Sequence, residues 1–241
     1  MKKHIPNFIT SLNLLCGCIG IGLAFKDNLA FKEDFILAVY MIGFAAIFDF
    51  LDGMVARLLN VKSDIGKELD SLADVVSFGV LPGVILFCLL SNAYSETTGF
   101  VSFLPFVAFL IPVFSALRLA KFNIDTRQTN SFIGLPTPAN AIFIGSIPLI
   151  IAGGDSQSFI QNIFSNPGFL VMLIFLMSYL LVSPIPLFSM KFKDMSWAGN
   201  KVQYIFIIIT VIFLLLFKFT AIPLILFVYI FLSIFQNSIK K

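Results

Sequence analysis

The chain has 241 residues, of which 59% are hydrophobic and only 12% are charged, and its mean hydropathy is +0.98. Soluble domains carry about 25% charged residues, so this chain lacks the polar surface that a water-soluble protein needs. The net charge of +3 is too small to indicate a nucleic-acid partner, and we expect none. The composition therefore predicts an all-α, polytopic transmembrane helical bundle that resides in a lipid bilayer.

Cysteine and histidine usage narrows the chemistry further. The three cysteines, Cys16, Cys18 and Cys88, lie in apolar stretches, and an odd number at membrane depth does not indicate a disulfide framework. We interpret them as packing residues rather than as metal ligands, since no second cysteine pair or histidine lies near them. The only histidine is His4, which excludes histidine-based metal clusters and catalytic triads.

Eight stretches are long and apolar enough to cross a bilayer, which takes about 20 residues per helix. They are residues 7–25, 34–56, 68–91, 100–121, 137–153, 168–189, 202–218 and 220–237. Almost nothing separates the last two, so we expect a tight helical hairpin there. We expect no cleavable signal, because the first apolar run continues to span length. The whole chain, 1–241, is predicted to be one integral membrane domain.

Lysine and arginine in short loops set the orientation of a membrane protein. With the N-terminus inside, 13 of the 16 basic residues fall on the cytoplasmic side, and the other side keeps Lys26, Lys32 and Lys218. The cytoplasmic set is Lys2, Lys3, Arg57, Lys62, Lys67, Arg118, Lys121, Arg127, Lys191, Lys193, Lys201, Lys240 and Lys241. This bias predicts cytoplasmic termini and an even number of spans.

Four aspartates lie in two adjacent predicted spans, where acidic residues are costly and indicate function by default. Asp49 and Asp52 share one helix face, about 4.5 Å apart along the axis, and Asp70 and Asp74 share another, about 6 Å apart. A short polar connection makes the two helices antiparallel, so both pairs lie at the cytoplasmic end. Like charges repel strongly at low dielectric, and hard cations with oxygen ligands, Mg²⁺ or Mn²⁺, relieve that repulsion.

The residues between these acids are consistent with a phosphate ligand. Gly53, Ala56 and Gly66 leave room for close approach, although packing alone would explain each of them. Arg57 offers a forked donor to a phosphate. The simpler alternative is that Asp49 and Asp52 pair with basic residues at the helix end, but four carboxylates at helical spacing on consecutive helices favour a metal-and-phosphate site.

In order, these residues form the pattern Asp49-x2-Asp52-Gly53-x2-Ala56-Arg57-x8-Gly66-x3-Asp70-x3-Asp74. The pattern resembles the signature of the CDP-alcohol phosphotransferase family in every position and gap. The resemblance implies a six-helix catalytic core, here residues 1–190, with a cytoplasm-facing cavity and usually a homodimer. Residues 191–241 would form an additional C-terminal helical hairpin, which departs from that core.

The resemblance also implies roles for individual residues. Asp49, Asp52 and Asp70 would ligate metal, and Asp74 would ligate a second metal ion and act as the general base. The CDP-lipid would be bound by Asn7, Thr10, Asn13, Gly53, Ala56, Arg57, Ser63 and Gly66.

Further stretches are similar to the bacterial branch of the family that uses L-serine as its acceptor. They are Thr10–Asn13, Ser77–Pro82, Arg118–Asn123, Gly134–Pro138 and Val182–Pro186. The likeness implies transfer of a phosphatidyl group from CDP-diacylglycerol to L-serine at the inner membrane. Arg118 and Lys121 are candidates for binding a lipid phosphate or the serine carboxylate, and snorkelling anchors are the alternative for both.

Two other functions stay open at this stage. The same chemistry with glycerol 3-phosphate or an inositol phosphate as acceptor would require more cationic partners than Arg118 and Lys121 provide. A cation-coupled transporter would use the four aspartates as its ion site. Transporter sites, however, usually lie near the bilayer midplane between repeated halves, whereas these acids lie near one face.

Overall fold

The computed structural model describes residues 4–26, 33–61, 63–124, 131–153, 159–188 and 200–239, which form a helical bundle with one short strand pair. The α-helices are α1 (His4–Lys26), α2 (Glu33–Leu58), α3 (Asp64–Asp74), α4 (Leu81–Ala93), α5 (Leu110–Ile124), α6 (Thr137–Gly153), α7 (Phe159–Ser165), α8 (Pro167–Val182), α9 (Lys201–Phe217) and α10 (Ala221–Ile239). A π-helical segment, Val75–Val80, joins α3 to α4, and 3₁₀ segments precede α5 (Gly99–Phe109) and α10 (Lys218–Thr220).

The all-α, polytopic membrane fold predicted from composition is confirmed. Among the described residues, five helical stretches are long and apolar enough to span a bilayer, and a sixth results if α7 and α8, bent by 75°, count as one span. The shorter α6 has 17 residues, about 26 Å of helix. Large apolar side chains such as Phe44, Phe175 and Leu215 face outward, as expected of surfaces in contact with lipid.

The last apolar stretch folds back on itself. Phe206 of α9 and Tyr229 of α10 have ring centroids 5.5 Å apart, whereas one straight helix would separate them by about 35 Å. Lys218 makes the turn with a positive φ of 51°. The two helices therefore run antiparallel, in the geometry expected for residues 202–218 and 220–237.

The predicted sixth span, residues 168–189, is wrong at its C-terminal end. Helix α8 ends at Val182, because Pro184 and Pro186 follow and proline lacks the N–H that a helix needs. Residues Pro186–Phe188 instead form strand β2, which pairs antiparallel with β1 (Ser131–Ile133). Gly134, at a φ of 78°, turns the chain from β1 into α6, a conformation that favours glycine.

Small residues allow the first helices to pack closely around the π-helical segment. A Cβ on Gly17 of α1 would lie 2.5 Å from Ser77 Oγ, and one on Gly79 would lie 3.1 Å from Ser115 Cβ of α5. Helices α1 and α5 therefore contact opposite sides of Val75–Val80, the segment that directly follows Asp74. Interruptions of this kind recur at functional sites, and here it lies beside the aspartates.

Many of the basic residues used for the orientation prediction lie outside the described residues. These are Lys2, Lys3, Lys32, Lys62, Arg127, Lys191, Lys193, Lys240 and Lys241. The apolar core fills most of the bundle, and the buried charged side chains among the described residues are Asp52 of α2, Asp74 at the end of α3 and Arg118 of α5.

Candidate functional site

Three aspartates from two helices converge at one end of the bundle. Asp49 of α2 and Asp70 and Asp74 of α3 each offer a carboxylate oxygen, and these oxygens all lie within 4.8 Å of one another. Asp74 is buried, at 8% exposure, and the other two are partly buried. The helical spacing of the sequence pattern and the antiparallel packing of α2 and α3 together produce this aspartate cluster.

Asp52, the fourth acid, lies beside the cluster and has a partner of its own. Thr10 of α1 donates its hydroxyl hydrogen to Asp52 Oδ2 over 2.5 Å. Thr10 Oγ1 also lies 3.1 Å from the carbonyl of Pro6, but a hydroxyl has one hydrogen to donate, and the shorter contact to a carboxylate is the stronger one. Helix α1 thus holds Asp52 in place.

A second side chain of α1 orients Asp74. Asn13 Nδ2 donates to Asp74 Oδ1 over 3.2 Å, and Ser77 Oγ donates to the Asn13 carbonyl over 2.9 Å. Asn13 is fully buried, and Gly17, one turn further along α1, gives Ser77 the space to approach. The polar face of α1 therefore determines where Asp74 points.

The donor set of this cluster fits a divalent cation. Within the described part of the chain, Asp70 Oδ1 is buried without a hydrogen-bond partner, and such an atom is costly unless something else binds it. Arg57 is exposed, and its Nε donates to the Gly53 carbonyl. Carboxylate oxygens suit hard cations of the magnesium and manganese type. The aspartate cluster could therefore hold a metal ion.

A cleft of about 360 Å³ opens next to the cluster, within the range of small-molecule sites. Its lining is Pro6, Asn7, Thr10, Ala56, Val61, Ser63, Asp64, Gly66, Lys67 and Asp70. Five of the predicted CDP-lipid residues, Asn7, Thr10, Ala56, Ser63 and Gly66, are in that lining. Asn13, Gly53 and Arg57 are not; Asn13 contacts Asp74 instead, Gly53 faces open space and Arg57 is exposed.

Two of these residues shape the cleft through backbone geometry. Ser63 caps α3 by accepting a hydrogen bond from the Gly66 N–H over 3.2 Å. A Cβ on Gly66 would lie 2.8 Å from Asn7 Oδ1, so a larger residue would displace the Asn7 side chain from its position in the cleft. The small residues of the sequence pattern therefore define the space between the helices.

The sequence prediction missed Val61, Asp64 and Lys67 in this lining. Lys67 precedes Asp70 by three positions and so shares its helix face, a signal that could have identified it. Its Nζ donates to the Asn123 carbonyl over 3.1 Å, and Asn123 Nδ2 donates to Ser71 Oγ over 2.8 Å. These bonds attach the end of α5 to α3 beside the aspartates.

Arg118 and Lys121, both predicted as candidates for binding a lipid phosphate or the serine carboxylate, occupy different environments. Arg118 is 8% exposed and lies within electrostatic range of Asp74 and Tyr229; its guanidinium carbon is 5.7 Å from the Phe122 ring centroid. Among the described residues its Nε has no hydrogen-bond partner. Lys121 is exposed. Because the Arg118 side chain is buried, it does not extend to the membrane surface as a snorkelling anchor would. For the exposed Lys121, snorkelling stays the alternative.

Comparison with known proteins places this geometry in context. A family model described as CDP-alcohol phosphatidyltransferase matches residues 3–235. Three similar relatives carry the name CDP-diacylglycerol–serine O-phosphatidyltransferase. The Helicobacter pylori (strain ATCC 700392 / 26695) protein is 31% identical over 86% of this chain and 81% of its own length. The Bacillus subtilis protein is 39% identical over 56% of this chain and 70% of its own.

The third, from Methanocaldococcus jannaschii, is 38% identical over 58% of each chain. The chain spans little more than half the length of several relatives, including 54% of the protein from Helicobacter pylori strain J99 and 58% of the Mycobacterium leprae protein.

The bond between Thr10 and Asp52 can be tested with a matched pair on α1. Thr10→Val keeps the side-chain shape but removes the donor, leaving a buried carboxylate short of a partner, which costs about 1–3 kcal/mol. We expect the detergent-purified variant to unfold several degrees lower. Ser11→Ala is the control, because Ser11 is exposed and bonds only the carbonyl of Asn7 in its own helix. Equal unfolding temperatures for the two variants would show that the bond contributes nothing.

Proposed function

The chain belongs to the CDP-alcohol phosphatidyltransferase family, and from this premise we propose that it transfers the phosphatidyl group of CDP-diacylglycerol to L-serine and releases CMP. The observation that carries the proposal is the shared name of its relatives, one of which aligns with 86% of this chain. The aspartate cluster and the adjoining cleft provide the chemistry that such a transfer requires.

The donor would bind with its nucleotide in the cleft and its acyl chains in the surrounding bilayer. The cleft lies between the start of α1, the end of α2 and the start of α3, where the spans would meet the membrane surface, so a ligand there would reach both water and lipid. Asn7 and Ser63 offer polar atoms to a cytidine diphosphate, and Gly66 leaves the backbone accessible. Lys67, exposed at the rim, adds a positive charge suited to the diphosphate.

Asp49, Asp52, Asp70 and Asp74 would hold two divalent cations, Mg²⁺ or Mn²⁺. When bound, such ions neutralise the diphosphate and the charge that develops on departing CMP. The three convergent carboxylates supply the central ligands, and the unpartnered Asp70 oxygen is the atom most in need of a cation. Thr10 keeps the Asp52 carboxylate oriented toward the same site.

Asp74 would act as the general base. The serine hydroxyl oxygen attacks the phosphorus that bears the diacylglycerol, the bond from that phosphorus to the CMP oxygen breaks, and the hydroxyl proton passes to the Asp74 carboxylate. Asn13, bonded to Asp74 Oδ1, leaves the other carboxylate oxygen available. Phosphatidylserine and CMP are the products.

Arg118 would pair with the serine carboxylate. It is the one buried cation among the described residues, and it lies near Asp74, where the acceptor hydroxyl must be. A phosphate monoester, as in glycerol 3-phosphate or an inositol phosphate, carries more negative charge than a carboxylate and would require more cations. A single guanidinium therefore favours L-serine over these acceptors.

The protein is a multi-pass membrane protein, and we propose that it lies in the inner membrane with both termini and the site in the cytoplasm. Residues 1–190 would form the catalytic core of a homodimer, with 191–241 as an additional hairpin.

In a variant without native cysteines, Glu96→Cys is expected to react with an impermeant maleimide on whole cells, and Glu68→Cys only after permeabilisation. The reverse pattern would overturn the orientation, and a monomer by native mass spectrometry would overturn the homodimer.

The proposed function predicts the product of a defined assay. Purified protein, CDP-diacylglycerol and Mg²⁺ or Mn²⁺ are combined with L-serine, glycerol 3-phosphate or inositol phosphate, and CMP release and the lipid product are measured. We expect fast CMP release and phosphatidylserine only with L-serine, and loss of both after EDTA because the carboxylates then lack their cations. A faster reaction with another acceptor, or full activity in EDTA, would contradict the proposal.

A second prediction separates Asp74 from the other ligands. Asp74→Asn keeps a neutral oxygen ligand but cannot accept the proton, so turnover should fall about 10²- to 10⁴-fold while CDP-diacylglycerol still binds in the presence of metal. Asp70→Asn should weaken metal and donor binding as well as turnover. Binding by calorimetry and initial rates are measured on the same preparations.

Glu68→Gln is the matched control for these variants, because Glu68 is an exposed acid on the same helix, and its activity should be unchanged. Near-normal turnover in Asp74→Asn would exclude Asp74 as the base. Loss of donor binding equal to that of Asp70→Asn would assign it to metal ligation alone.

A further inference from the structure

The start of α6 carries two buried polar side chains that the proposed mechanism does not use. Asn140 and Thr137 are both fully buried, at 0% exposure. Within the described part of the chain, neither amide atom of Asn140 nor the Thr137 hydroxyl has a hydrogen-bond partner. Because a buried amide without partners costs several kcal/mol, unpaired groups of this kind indicate a site for a polar ligand.

Both side chains are turned toward the interior of the bundle. Residues three apart share a helix face, so Thr137 and Asn140 point the same way. Gly145, on another face of α6, packs against Ile42 and Val39 of α2. Ala139, Ile142 and Phe143 line an apolar groove against α10. Helix α6 also contacts α4, the π-helical segment and α8, and the face that carries Thr137 and Asn140 is the one left for these neighbours.

The start of α6 also lies at the aspartate end of the bundle. Tyr229 lines the same groove as Pro136 and Ala139 at the beginning of α6. Both Tyr229 and Asp74 lie within electrostatic range of Arg118. Tyr229 therefore lies beside both the start of α6 and Arg118, the cation nearest to the proposed base.

Depth in the membrane agrees with this placement. Gly145 lies level with Ile42 of α2, where its Cβ would be 3.1 Å from Ile42 Cδ1. From Gly145 back to Asn140 is about 7.5 Å, and from Ile42 forward to Asp49 is about 10.5 Å. Asn140 is therefore within about one helical turn of the aspartate cluster in depth.

Other unpaired polar atoms come from the neighbouring helices. Ser115 Oγ and Arg118 Nε of α5 and Ser178 Oγ of α8 are buried without partners among the described residues. The donor cleft, by contrast, is lined from α1 to α3. These unpaired polar atoms therefore lie outside the donor cleft, on α5 and α6, which both contact the π-helical segment that follows Asp74, and on α8, which contacts α5.

We propose that Asn140, assisted by Thr137, binds the α-amino-acid group of the acceptor and thereby selects an amino acid over other alcohols. The inference rests on the proposed function, because it concerns the acceptor of that reaction. Asn140 Oδ1 accepts from the ammonium of the acceptor, and Nδ2 donates to the carboxylate that Arg118 also contacts. A side-chain amide offers both an acceptor and donors, so one residue recognises both charges of a zwitterion.

The test compares three single variants with the wild type in steady-state assays with CDP-diacylglycerol and L-serine. Asn140→Leu and Thr137→Val replace polar groups by apolar ones of similar shape. Ser146→Ala is the matched control, because Ser146 is buried on the same helix but its hydroxyl donates to the Phe143 carbonyl over 2.6 Å. The KM for serine, the KM for CDP-diacylglycerol, kcat and the unfolding temperature are measured.

For Asn140→Leu we expect the KM for serine to rise about 10- to 100-fold, as when a site loses hydrogen bonds to a charged ligand. The KM for CDP-diacylglycerol should stay within about twofold of wild type, and the unfolding temperature should not fall, since removing an unpaired buried amide does not destabilise the fold. Thr137→Val should show a smaller rise, and Ser146→Ala none.

Two outcomes would overturn the inference. An unchanged KM for serine in Asn140→Leu would exclude binding of the acceptor, and a lower unfolding temperature with an unchanged KM would assign Asn140 a structural role. If Asn140→Leu does not fold, the KM for serine of Thr137→Val decides in its place. Wild-type phosphatidylserine synthesis in the same assay separates these failures from a failure of the proposed function, which would abolish the product in every sample.

Discussion

Repulsion among buried carboxylates is the constraint on which the rest of this structure depends. At an effective dielectric constant of about 20, two unit charges about 5 Å apart repel by roughly 3 kcal/mol. The three oxygens of Asp49, Asp70 and Asp74, all within 4.8 Å of one another, would together cost an appreciable part of the 5–15 kcal/mol that stabilises a typical protein. Arg118 lies within electrostatic range of Asp74 and Arg57 bonds a carbonyl, so a bound cation would relieve the repulsion that one guanidinium leaves among three carboxylates.

Helix α1 makes the arrangement possible although it contributes none of the acids. Thr10 bonds Asp52 and Asn13 bonds Asp74, so two of the four carboxylates are oriented by one helix face. The same face continues with Gly17, whose missing side chain lets Ser77 approach. Along α1 the polar contacts at the site are therefore followed by close packing against the π-helical segment. A shift of this helix would disturb both.

The aspartate cluster divides the end of the bundle into two sides with different surroundings. The side formed by α1, α2 and α3 is an open cleft with Lys67 at its rim, suited to a large anionic donor. Helices α5, α6 and α8 carry buried polar atoms, among them Arg118 Nε and both amide atoms of Asn140, that have no hydrogen-bond partner within the described residues. In the proposed reaction the donor occupies the cleft and residues of α5 and α6 hold the acceptor, so the two substrates contact different helices.

The sequence by itself determined the membrane class and the position of the aspartates, because composition reports the solvent and i,i+3 and i,i+4 spacing is a local property of one helix. It also identified Asn7, Thr10 and Gly66, which lie in the cleft. It misjudged the end of α8, where Pro184 and Pro186 stop the helix and Pro186–Phe188 forms β2. Only the tertiary structure separated Arg118 from Lys121 and revealed Asn140, because burial and missing partners depend on how α5, α6 and α8 pack, and contacts between helices distant in sequence leave no local pattern.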